Sequence, residues 1–157
     1  MPASRALLLV LLVPVLASGC GSASHKKTEP ARLTQKQFVS AANAVCIKSD
    51  RRVFQLGRLS LVPAGWASTA AAARTGVAEM SGVRAPAKFD AGFQHLLTLG
   101  RQLATGIQWV HDALAKKNYK IARAAQLKAT KTDTAIHLQA KKLGLTFCQQ
   151  LLTNWPA

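Results

Sequence analysis

Along residues 89–114 apolar side chains recur without a break in steps of four and three: Phe89, Phe93, Leu96, Gly100, Leu103, Ile107, Val110 and Leu114. Steps that alternate in this way trace one face of a helix and build a nearly perfect heptad seam. Its one small member, Gly100, predicts a close neighbour. Upstream, Phe38, Ala42, Val45, Ser49, Val53 and Leu56 mark a first helical face, with Cys46 beside Val45 on its edge. Thr34 and Gln37 have the spacing of a capping box, and Leu33 with Phe38 that of a hydrophobic staple, so this helix is expected to start at Thr34 and fade near Gly57–Ser60. Between the two lies a stripe of Trp66, Ala70, Ala73, Val77 and Met80, with Pro63 suited to a first turn, Gly76 a weak point and Ser81–Gly82 the end.

Lys116–Lys117–Asn118 stops the long helix. A fourth is expected from about Tyr119 to Leu143 on a narrow stripe of mainly small residues, Ala122, Ala125, Ala129, Thr132, Ile136, Ala140 and Leu143. Gly144 provides its left-handed cap and Leu145 folds back over the end. One short turn within Thr146–Trp155 then brings Cys148 to the body. No alternating strand pattern exceeds four residues. The fold class is therefore all-α, and four long helices with short loops predict an up-down-up-down four-helix bundle.

The N-terminus reads differently. Ala6–Ala17 is an apolar run of 12 residues, too short for a membrane span of about 20 and of the right length for a signal-peptide core. Ala17, Ser18 and Gly19 lead directly to Cys20. This combination resembles the bacterial lipobox, with Ala17 where that pattern most often has Leu. The resemblance implies a leader cut before Cys20 and a diacylglyceryl group, with fatty acyl chains such as palmitate, on its thiol. An ordinary secretory leader cut near Ala17–Gly19 is the alternative. The expected organisation is a signal peptide over 1–19, a lipidated tether over 20–32 and a helical domain over 33–157. The tether lacks hydrophobic periodicity and is read as disordered; Lys26, Lys27 and Arg32 within it could touch anionic headgroups.

Cysteine usage agrees with export. With Cys20 acylated, Cys46 and Cys148 remain as one pair in an oxidising compartment, where such pairs persist as disulfides. Charge then changes the picture: 21 Lys and Arg stand against 6 Asp and Glu, a formal net charge of +15. An excess of that size favours polyanions. Outside a bacterial membrane these are anionic lipid, wall polymer and free nucleic acid, and no specific nucleic acid is expected because aromatics for base stacking are scarce. The residues expected to carry such contact are Lys116, Lys117, Lys120, Arg123, Lys128, Lys131, Lys141 and Lys142.

A wider resemblance joins these features. The leader, FVSAANAVC at Phe38–Cys46, Pro86 after a mid-chain turn and LGLTFC at Leu143–Cys148 resemble a family of small secreted or lipid-anchored helical proteins of high-GC Gram-positive bacteria. It implies export, a helical fold and a paired cysteine, and it implies no activity.

Residues for catalysis are sparse. The carboxylates Glu29, Asp50, Glu79, Asp90, Asp112 and Asp133 are scattered, with no spacing for a paired-acid site and no carboxylate with a histidine three residues on. His95 and His111 lie 16 residues apart on one helix, about 160° around it. His111 and His137 could meet across helices, but all four histidines are read as surface groups. Trp66 and Trp109 are read as packing, and no G-x-S-x-G elbow or phosphate loop occurs. The expectation is a non-enzymatic binding or structural accessory protein without cofactor or metal, lipid-anchored on the outer face of the cytoplasmic membrane or secreted. A small-molecule or metal carrier using the bundle interior, and a phosphate-driven nucleic-acid or polyanion binder, are the alternatives.

Overall fold

The computed structural model describes residues 32–56 and 63–149. The leader over 1–19, Cys20 and the tether up to residue 31 lie outside the described residues. Within them the chain is all-α, a helical bundle with no strand: α1 (Gln35–Gln55), α2 (Pro63–Ser81), α3 (Asp90–Ala115) and α4 (Tyr119–Lys142), with single 3₁₀ turns at Ala87–Phe89 and Phe147–Gln149. Among the described residues no helix is long and apolar enough to cross a membrane.

α1 starts as its sequence requires. Thr34 Oγ1 accepts from the Gln37 N–H at 3.3 Å, and Gln37 Oε1 accepts from the Thr34 N–H at 2.9 Å, so two backbone donors of the first turn are satisfied at once. Leu33 packs on the core, and Phe38 is fully buried between Phe89, stacked at 5.8 Å, and Phe93, edge-on at 5.2 Å. The buried line of α1 is Phe38, Ala42 and Cys46; Val45, Ser49 and Val53 are half-buried and Leu56 is exposed. Cys46 therefore sits at the centre of the buried face, not at its edge. Arg32, read as the last residue of the tether, pairs with Asp90 at 3.2 Å and so meets the folded body.

α3 is the centre of the bundle and is buried on two sides. The expected seam is present, and Gly100 does admit a neighbour: a Cβ there would lie 2.8 Å from Val77 Cγ2 of α2. A second line, Gly92, Leu99, Gly106 and Ala113, repeats every seven residues, and its two glycines meet α4. At Gly106 a Cβ would lie 3.3 Å from that of Ala129, so the two backbones approach as closely as small side chains allow. α2 departs from its expected stripe. Its buried residues are Trp66, Thr69, Ala70, Gly76 and Met80, with Ala73 and Val77 only half-buried. Gly76 is a contact, not merely a weak point, because a Cβ there would strike Ser49 Oγ of α1 at 2.5 Å.

Lys117 makes the tight α3–α4 turn in the left-handed region, at φ 55°, and Asn118 Oδ1 caps α4 by accepting from the Ile121 N–H at 3.2 Å. α4 ends on Gly144 at φ +74°, with Leu145 fully buried over it and its N–H donating to the Ala140 carbonyl at 3.0 Å. Consecutive helices pack on one another, but no Cα of α1 comes within 8 Å of a Cα of α4. The turn Phe147–Gln149 touches both instead. Cys148 there is disulfide-bonded to Cys46, 102 positions away, and the Phe147 N–H donates to Asn43 Oδ1 at 3.3 Å.

Candidate functional site

Two features of this scaffold could engage a partner: the outer face of α4 and a half-open cleft between the helices. On the first, Lys116 and Lys117 at the turn and Lys120, Arg123, Lys128, Lys131, Lys141 and Lys142 along the helix are all exposed. At about 100° per residue the six helical positions fall within an arc of roughly 140°, over a length of about 33 Å. Lys120, Lys131 and Lys142 recur every 11 residues, close to three full turns, and form a nearly straight line. Exposed Leu127 and Leu138 lie along the middle of the same arc. Lys128 Nζ rests 4.9 Å from the centre of the half-exposed Trp109 ring of α3.

The scattered carboxylates gain meaning from where the fold puts them. Glu79 takes both Arg52 Nη2 at 2.6 Å and Lys48 Nζ at 2.9 Å; the hydrogen bonds from Arg52, then Lys48, hold its carboxyl down at about 2. Asp90 pairs with Arg32, and Asp112 accepts from Gln108 at 2.9 Å. These acids all lie on α2 and α3. The single carboxylate of α4, Asp133, points inward and is buried, so the outer face of α4 is basic with no acid of its own to neutralise it.

The half-open cleft between the helices has a volume of about 110 Å³ and is lined by all four helices and Cys148. Its walls are apolar apart from Ser49, Thr69 and Asp133. Thr69 Oγ1 already donates to the Gly65 carbonyl at 2.9 Å. Asp133 is 8% exposed, and among the described residues no group donates a hydrogen bond to it. Burial pushes its pKa up to about 7. His137, one turn on, has Nε2 at 3.4 Å from Asp133 Oδ1, yet that nitrogen is buried without a hydrogen-bond partner. Burial lowers the His137 pKa, so it disfavours the charged form of both groups.

Three expectations are corrected by this arrangement. Asp133 takes the buried place on α4 expected for Thr132, which is half-buried. His137 is not a surface histidine, and His111 is partly buried, its Nδ1–H donating to the Pro63 carbonyl at 2.9 Å. Asp133 and His137 were legible only through the step from Ala129 to Ile136, which a residue at 132 or at 133 completes equally well. Trp66 is buried as expected. Cys20 lies outside the described residues. Among the described residues no three of His, Cys, Asp and Glu are grouped to hold a metal ion. No protein-family model, curated protein or solved structure matches the chain.

Proposed function

We propose that this is an exported, non-enzymatic accessory protein, anchored through acylated Cys20 to the outer face of the cytoplasmic membrane, that lays the outer face of α4 on anionic lipid or wall polymer. The observation that carries the reading is the basic, acid-free arc of α4 with Leu127 and Leu138 along its middle. Lys and Arg near an anionic surface contribute about 1 kcal/mol each, while long basic side chains let neighbouring apolar groups reach the headgroup boundary. The helices are taken to run up-down-up-down. Close approaches that fall in α4 as they rise in α3, Gly92 with Gln139 and Gly106 with Ala129, support that course, as does the three-residue turn between these helices.

The corresponding experiment measures the mature chain without its acyl group on vesicles of mixed anionic and zwitterionic lipid. Affinity is expected to fall on the order of a hundredfold between 50 and 500 mM salt, as screening of several such contacts requires. Binding indifferent to salt, or equal on purely zwitterionic vesicles, contradicts the reading. The companion readout is the mass of the protein isolated from its host: a diacylglyceryl group on Cys20 supports the anchor, and a mature N-terminus elsewhere removes it.

A further inference from the structure

We propose that the half-open cleft between the helices is a binding site for a small neutral molecule with an apolar body and one hydroxyl, held by a hydrogen bond to the Asp133 carboxyl. This inference rests on the cavity and is independent of the α4 face. The volume of about 110 Å³ is below the roughly 150 Å³ of an apolar cavity that admits benzene, which suits a body smaller than benzene, of about four carbons.

The walls select the body and Asp133 selects the handle. Thr69 has its own acceptor in the Gly65 carbonyl, whereas Asp133 is buried with no donor among the described residues and only the unpartnered His137 Nε2 beside it, 3.4 Å away. A largely buried carboxyl with no donor from the protein leaves its hydrogen-bonding capacity to what enters the cleft. Besides Asp133, no lining residue from α1, α2, α3 or α4 bears a charge, and the lining Cys46 and Cys148 are joined. Below about pH 7 a carboxyl in such surroundings is neutral, with one donor and a free carbonyl acceptor. That pattern matches a hydroxyl, which both donates and accepts. An ammonium would need the ionised carboxylate and would have to approach a chain of net charge +15. Entry is provided for by the half-buried residues Val45, Ser49 and Val53 on α1, where that helix is not closed by α4.

The test titrates the disulfide-bonded mature chain at pH 5.5, below the Asp133 pKa of about 7, with 2-butanol, its isostere 2-methylbutane and sec-butylamine, following the methyl resonances of Met80 and Ile136. 2-Butanol is expected to bind saturably and roughly tenfold or more tightly than 2-methylbutane, which leaves the carboxyl unpaired. In Asp133→Leu the two are expected to come within about twofold of each other. No saturable shift with 2-butanol, equal affinities for 2-butanol and 2-methylbutane in the wild type, or tighter binding of sec-butylamine than 2-butanol would each overturn the proposal. The wild-type comparison decides the matter even where Asp133→Leu does not fold.

Discussion

Removing the Cys46–Cys148 bond is expected to lower the midpoint of thermal unfolding by roughly 15–20 °C. The two cysteines are 102 positions apart, and closing a loop of about 100 residues is worth about 4.7 kcal/mol in the chain-entropy model. For a body of this size each kcal/mol moves the midpoint by about 3–4 °C. The fold adds a local reason. α1 and α4 do not approach within 8 Å, so α1 is tied to the end of the chain through the turn Phe147–Gln149 and this bond. Circular dichroism melts of the Cys46→Ser/Cys148→Ser double variant check the magnitude. Hydrogen exchange should show α1 losing protection before α3, and a midpoint shift under about 5 °C contradicts this role.

Asp133 is expected to make stability fall with rising pH. Its folded pKa of about 7 lies above the ordinary aspartate value of 3.8, so between these values the folded chain keeps a proton that the unfolded chain has released. Stability contributed by that proton is full below about pH 4, declines through the interval and is gone above about pH 7. A rise of about 3 in pKa corresponds to about 4 kcal/mol. His137 acts in the opposite sense: its lowered pKa costs stability as pH drops below the ordinary histidine value. Glu79, held at about 2, is ionised in both states above pH 6 and adds no slope there. Comparing Asp133→Asn with the wild type largely removes these other contributions. The variant should gain on the wild type by several kcal/mol between pH 4 and pH 8 in denaturant unfolding, then hold level. A difference independent of pH contradicts the buried, unpaired state of this carboxyl.

How far the fold was legible in the chain depended on how directly each residue signals its place. The capping box at Thr34 and Gln37, the α3 seam and the Gly144 cap were readable, because each couples one local geometry to a distinctive spacing. The second α3 line was not, because Gly92, Gly106 and Ala113 carry little hydrophobic signal, and the two glycines owe their place to the approach of α4. The same limit affected Gly76, whose role is set by Ser49 on another helix. Asp133 was hidden by composition: between Ala129 and Ile136 a threonine and an aspartate both fit the period, and ordinary preference put the acid outside. Of the candidate surface, the eight basic residues were legible one by one. Their alignment with Leu127 and Leu138, and the inward turn of the one α4 carboxylate, required the helix to be placed. The cavity is space between four helices, and no residue pattern announces it.

Attachment to an anionic surface is predicted to depend on the α4 face and not on net charge alone. Two variants separate these: Lys120, Lys131 and Lys142 changed to Glu, and Lys36, Arg51 and Arg101, exposed on α1 and α3, changed to Glu. Both alter the net charge equally. On anionic vesicles at low salt the first is predicted to lose affinity on the order of a hundredfold and the second less than about tenfold; equal losses in the two would contradict a role for this face.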